Sequence, residues 1–265
     1  MDLQLTGKRA IVTGGSRGIG LAAAAALAAE GADVALVARH QDALDAAAER
    51  IRGHGRRVLT VVADTRDDAA VRAMVARVVA EFGGVDILVN AAAEPASPNT
   101  AHGLAGTTDD DLRAEVETKV LGYLRCARAV APHMVGQGWG RIVSVSGLAA
   151  RQASSVVGSV RNVAVSAMTK NLADELGRSG VNVTVVHPGI TVTERTPEVI
   201  AGYARAHGVS EADATAALSA NITIGRMVTA EEIGDVIAFL ASPRSVAVTG
   251  DAVAVGGGAK GSIYY

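Results

Sequence analysis

Short runs rich in Val, Ile, Leu and Ala recur along this chain, each bounded by turn residues, the pattern of strands buried on both faces. They read RAIVTG (9–14), DVALVA (33–38), RVLTVVAD (57–64), VDILVNA (85–91), GRIVSVSG (140–147), VNVTVVHPG (181–189) and DAVAVGGG (251–258). Between them, Ala- and charge-rich segments at 18–30, 41–54, 67–82, 109–136, 160–178 and 229–242 carry helical spacing. Strand and helix alternate six times. That order predicts an α/β fold, a doubly wound parallel sheet of about seven strands with helices on both faces. Two stretches break the alternation, 94–108 and 191–228. Both follow the C-terminal ends of strands, where open α/β sheets bind ligands. The longer one is expected to be a partly helical lid over a substrate; the plainer alternative is a surface excursion. No internal linker is long and polar enough to divide 1–265, so a single domain is expected.

Bulk properties narrow the class. The chain, at 265 residues, is long enough for one domain with a large core. A net charge of −2 gives no electrostatic reason to expect nucleic acid or an anionic membrane as partner. Mean hydropathy is positive, +0.27, yet Glu30 and Asp33 interrupt the best apolar candidate, 21–38, so no bilayer span is expected. High hydropathy with 3% aromatics fits Val- and Ala-rich buried strands and closely packed helices instead. The start, MDLQLTGKRAIVTGG, lacks the basic-then-apolar order of a secretion signal. The lone Cys126 excludes an internal disulfide, and together these features predict a cytoplasmic, reducing setting. None of the six histidines stands at metal-ligand spacing, so no metal is expected.

TGGSRGIG (13–20) follows the first strand and opens the first helix. Gly14 permits a tight turn; Gly18 and Gly20 let backbone and helix approach a pyrophosphate, whose oxygens meet free N–H groups at the helix's positive end. Ser16, Arg17 and Ile19 are expected to complete that phosphate cradle. A glycine triplet alone is weak, but strand–turn–helix context makes this one a dinucleotide site. An acidic residue ending the second strand would bind the ribose diol of NAD(H). Here that strand ends Ala38-Arg39-His40. Arg39, with Arg17, can pair with a 2′-phosphate, which favours NADP(H) and leaves NAD(H) possible; two solvated surface arginines are the alternative. Asp64, with Thr65, is expected at the adenine, and Asn90, with Ala92, near the ribose.

Over nearly its whole length the chain resembles the short-chain dehydrogenase/reductase family, from LTGKRAIVTGGSRGIG through DILVNAAA, RAVAPHM, GRIVSVSG and VNVTVVHPGITVT to GRMVTAEEIGDVIAFLASPRSVAVTGDAVAVGGG. The resemblance implies a single Rossmann-like domain with seven parallel strands, a nicotinamide cofactor, and a homo-oligomer, dimer or tetramer, packed through helices 109–136 and 160–178. It implies that the bend at Pro188-Gly189 and the residues matching Ile190 and Thr193 hold the nicotinamide end.

It also implies four working residues: a serine orienting the substrate oxygen, a proton-donating tyrosine, a lysine that lowers the tyrosine pKa and holds the ribose, and a helix asparagine. Here the pattern fails. One frame places Gly158 at the tyrosine and Asn162 at the lysine; sliding by one gives Val157 and Arg161. The serine falls at Ser146 or Gly147, and the asparagine at Lys119. Hydride transfer to a carbonyl leaves an alkoxide that needs a positioned acid. Lys119, its pKa lowered near Arg161, is a candidate acid or oxyanion partner, Arg161 a second candidate cationic replacement, and Ser146 a surviving oxygen-binding group. Tyr123, Tyr203 on the lid, or Tyr264 and Tyr265 are other candidate donors. Alternatively, each is a packing or solvated residue. Ile200, Leu218 and Ile222 hint at a partly hydrophobic small-molecule substrate. The expectation is an NADP(H)-dependent oxidoreductase of a small alcohol or ketone with a non-standard proton donor. The alternative is a nucleotide-binding relative without redox turnover, serving as a binding or structural protein or as a cyclase, isomerase or lyase.

Overall fold

Each predicted apolar run folds as a strand, since β-branched residues fit a pleated surface; the five central strands are buried on both sides, and the edge strands at 58–62 and 252–255 only in part. The computed structural model describes residues 1–93, 103–153 and 155–260. The strands are β1 (Arg9–Thr13), β2 (Asp33–Ala38), β3 (Val58–Val62), β4 (Ile87–Asn90), β5 (Gly140–Val145), β6 (Val181–Pro188), β7 (Thr191–Val192), β8 (Val228–Thr229) and β9 (Ala252–Val255). Seven of them make one parallel sheet in the order β3-β2-β1-β4-β5-β6-β9. The chain winds outward from β1 to one edge and from β4 to the other. The winding therefore reverses between β1 and β4, the place where such sheets open a ligand crevice.

The helices are α1 (Gly18–Ala29), α2 (Gln41–Arg52), α3 (Asp68–Phe82), α4 (Gly103–Gly106), α5 (Asp109–Glu115), α6 (Gly122–Gln137), α7 (Val156–Leu176), α8 (Thr196–His207), α9 (Glu211–Ser219) and α10 (Ala230–Leu240). One sheet face is closed by α1, α2 and α10 through Leu21, Leu27, Leu44, Ile51, Ile233 and Ile237. The other is closed by α3, α6 and α7 through Met74, Val78, Val130, Met134 and Leu176. No helix among the described residues is long and apolar enough to cross a membrane.

Three expectations change in detail. The helix expected to begin at 160 begins at Val156, because Ser155 caps it by accepting from the Gly158 amide, 3.0 Å. The stretch Val157–Val163 thus lies inside α7. The helix expected over 109–136 carries a π-helical segment, Val116–Leu121, between α5 and α6. Such widened turns cluster at functional sites, and Lys119 stands on this one. The stretch 191–228 holds two helices, α8 and α9, and its two ends are pinned side by side where β7 pairs with β8. Residues 94–102 of the shorter excursion lie outside the described residues.

Candidate active site

A cleft of about 1310 Å³ opens at the C-terminal ends of β1, β4, β5 and β6. At one end the glycine loop forms the wall. Gly14 has φ +65°, and a Cβ there would stand 2.6 Å from the Ala91 carbonyl oxygen. A Cβ on Gly20 would collide with the Gly14 carbonyl. The loop is therefore packed backbone on backbone, and only glycine fits. Thr13 Oγ1 locks the facing turn by accepting from the amides of Ala91 and Ala92, 3.2 and 3.3 Å. The residue before α1, Arg17, makes no side-chain capping bond to it. This combination fits a dinucleotide: a close-packed glycine turn that leads directly into a helix start.

Of the residues expected around a nucleotide, Gly14, Ser16, Arg17, Ile19, Gly20, Arg39, Asp64, Thr65, Ala92, Asn162, Pro188, Gly189, Ile190 and Thr193 line the cleft. Asp64 is gripped by Arg66, whose guanidinium, 2.6 Å away, holds the carboxyl below the usual carboxylate range. Two residues are not on the cleft surface. Gly18 faces a smaller groove, and its amide donates to the Glu194 carboxylate, 3.1 Å. Asn90 is fully buried at the end of β4, with Ala91, Ala92 and Ala93 forming the wall beyond it.

At the other end stand Ser146, Lys119, Arg161 and Asn162, brought together from β5's end, the π-helical segment and α7. Lys119 is 4% exposed, and its Nζ donates to the Ser146 carbonyl, 2.9 Å. Burial pushes the ammonium down to about 7; the Arg161 charge adds to that shift and Glu115 opposes it. The lowering expected from Arg161 is therefore secondary to desolvation. Ser146 Oγ donates to the carbonyl and the Oδ1 of Asn162, 3.1 and 3.2 Å. Arg161 forms an ion pair with the buried Glu115. Neither Gly158 nor Val157 lines the cleft, whereas both Arg161 and Asn162 do.

Other candidate donors fare differently. Tyr123 is buried, its hydroxyl donates to the Val145 carbonyl, 3.0 Å, and burial raises its pKa well above the phenol range. Tyr203 reaches the cleft from α8, stacked on His207 at 4.0 Å. Tyr264 and Tyr265 lie outside the described residues. His187 lies 3.3 Å from Ser166 Oγ, and burial, with the charges of Arg151 and Lys119, pushes it down to about 4. Cys126 is buried and its thiol is pushed up to about 12, the behaviour of an inert core cysteine. Leu218 and Ile222 line the cleft and Ile200 does not. Sequence reading missed Glu115, although a cation on an inward helix position calls for an anion nearby. It also missed Arg195 and Asn221 on the lid, for which no spacing gives a signal.

Comparison with known proteins agrees with this geometry. The family model described as short chain dehydrogenase matches residues 8–204. The short-chain reductase protein NovJ of Streptomyces niveus is 37% identical over 252 residues, covering 94% of this chain and 92% of its own. The putative ketoacyl reductase of the monensin polyketide synthase of Streptomyces virginiae is 35% identical over 260 residues, covering 96% and 98%. The structure of L-sorbose reductase from Gluconobacter frateurii, complexed with NADPH and L-sorbose, superposes with a TM-score of 0.90 at 30% identity, covering 99% of this chain and 100% of that one. The sheet order, the glycine loop and these matches converge: the chain belongs to the short-chain dehydrogenase family of NAD(P)-dependent oxidoreductases.

Proposed function

We propose that this protein is an NADP(H)-dependent oxidoreductase interconverting a small, partly hydrophobic alcohol and its ketone, with Lys119 carrying the proton. The observation that bears this reading is the buried Lys119 ammonium, anchored on Ser146 in the same cleft as the glycine loop. Arg17 and Arg39 on the cleft wall, with no carboxylate ending β2, support NADP(H); NAD(H) would use the same loop without them. The NADPH held by the L-sorbose reductase of the same fold supports it as well.

When bound, NADPH supplies the hydride. Lys119 Nζ then stands to release a proton to the oxygen that gains charge, and to take one up in the reverse direction. A tyrosine, titrating near ~10, needs a neighbouring cation to work near neutrality. A buried lysine reaches that range by desolvation. Leu218 and Ile222 supply apolar contact for the substrate. Val156, Val160 and Val163 stand half-exposed on one face of α7, which supports homo-oligomer packing there.

Fluorescence titration with NADPH and NADH, followed by NADPH oxidation against a panel of ketones, tests the reading. Both nucleotides should bind, NADPH tighter, and at least one ketone should be reduced. Failure of both nucleotides to bind overturns it. Binding without oxidation across the panel replaces it with a redox-inactive nucleotide-binding protein.

A further inference from the structure

Ser146 and Asn162 are tied together in a way that decides which of them can meet a substrate. Ser146 carries one hydroxyl proton. Its Oγ lies 3.1 Å from the Asn162 carbonyl oxygen and 3.2 Å from Asn162 Oδ1, and both are acceptors only. Turning the proton outward would leave three oxygens facing one another with no hydrogen between them. The hydroxyl is thus committed to α7 and has no proton left for a ligand.

The same bond orients the amide. With Oδ1 accepting from Ser146, the two N–H groups of Nδ2 point the other way. Asn162 is 3% exposed and lines the cleft, and its Nδ2 has no acceptor among the described residues. An amide donor that no protein acceptor claims on the wall of a cleft is available to orient a ligand there. Meanwhile the Ser146 carbonyl takes one of the three Lys119 N–H groups, leaving two. One residue at the end of β5 thus holds two residues arriving from different helical segments, accepting from Lys119 through its carbonyl and donating to Asn162 through its hydroxyl.

We infer that the substrate oxygen is held between Lys119 Nζ and Asn162 Nδ2, and that Ser146 positions both without touching it. This rests on the proposed reading that the site reduces a carbonyl. It departs from what the family resemblance implies, a serine hydroxyl on the substrate and the residue matching Asn162 on the ribose. In the step, the carbonyl carbon gains the hydride that NADPH supplies and the C=O π pair moves to oxygen. That oxygen takes a proton from Lys119 Nζ, and the neutral amine recovers one from solvent. Asn162 donates a hydrogen bond to the oxygen throughout and exchanges no proton; it is a catalytic residue, and Ser146 is a positioning residue.

Steady-state kinetics on a reducible ketone, with NADPH affinity measured separately by fluorescence, test the assignment in Asn162→Leu, Asn162→Asp and Ser146→Ala. Asn162→Asp keeps the acceptor for Ser146 and removes both N–H groups, so it also serves if the leucine variant does not fold. Both Asn162 variants should lower kcat by about 10²–10³-fold, the scale of a lost oxyanion donor, with the NADPH Kd held within about twofold. Ser146→Ala should cost about tenfold or less, since its carbonyl still holds Lys119, and the alkaline limb of its pH profile should stay in place; Ser146→Thr should restore the rate. A larger kcat loss in Ser146→Ala than in the Asn162 variants overturns the inference alone. So does an Asn162 variant with unchanged kcat and an NADPH Kd raised more than tenfold, which returns Asn162 to the nucleotide. A wild-type protein that reduces no ketone overturns the proposed function, and this inference with it.

Discussion

The two ends of the cleft are built from different materials. At the β1–α1 end the wall is backbone: glycines packed against carbonyls, with amides at the start of a helix. At the β5–α7 end it is side chain: a lysine, a serine, an asparagine and an Arg–Glu pair from four elements, each held by another. Backbone recognition tolerates almost no substitution, because its only variable is the absence of a Cβ. A side-chain network can be rebuilt. It needs a donor of suitable pKa at the right place, and either helix can deliver it. This contrast explains how one chain keeps TGGSRGIG while carrying Gly158 and Asn162 where the family resemblance implies a tyrosine and a lysine.

The contrast can be broken most severely at Lys119. Lys119→Met should lower kcat by about 10²–10⁴-fold while NADPH affinity, measured by fluorescence, stays within about twofold; a comparable loss of NADPH binding would join the two ends. Gly20→Val is the mirror experiment. The side chain meets the Gly14 carbonyl, and overpacking of roughly 1–3 kcal/mol should weaken NADPH by about 10–100-fold. Arg39→Ala should weaken NADPH by about 10–100-fold, the scale of a lost charged hydrogen bond, and NADH by less than about threefold; equal losses would remove the 2′-phosphate assignment.

Two pH experiments sharpen the contrast further. With Lys119 protonated only below about 7, ketone reduction should fall about tenfold per pH unit once pH is well above that value, and alcohol oxidation should not. In urea melts, wild-type stability should rise relative to Lys119→Met between pH 7 and 10. The unfolded lysine keeps its proton there and the folded one has lost it, so the unfolded state binds more protons. The smallest effect belongs to His187, pushed down to about 4. Between pH 6.5 and 4 the unfolded histidine takes up a proton that the folded one refuses, so stability falls as pH falls. His187→Gln should flatten that slope; an unchanged slope would mean that His187 is protonated in the folded state.

Much of this was legible in the sequence because it is local. Val/Ile runs and helical spacing foretold the seven-stranded sheet; strand–turn–helix context pointed to the glycine loop and Arg17, and the end of the second strand to Arg39, and Gly14, Arg17 and Arg39 all line the cleft. The start of α7 was misplaced because Ser155 acts as a cap only once the turn forms. The β5–α7 end was legible as a departure from the family resemblance, at residues 119, 158 and 162, but not as a mechanism. Which donors face the cleft depends on contacts between residues far apart in the chain: Lys119 with Ser146, Arg161 with Glu115, and Ser146 with Asn162. By itself the sequence determined the elements, their order and the backbone-built nucleotide end, because periodicity and glycine content act over a few residues. Only the tertiary structure decided that Lys119 is desolvated, that the Ser146 hydroxyl is spent on α7 and that Asn162 Nδ2 opens onto the cleft. Burial and hydrogen-bond direction exist only once distant segments have packed.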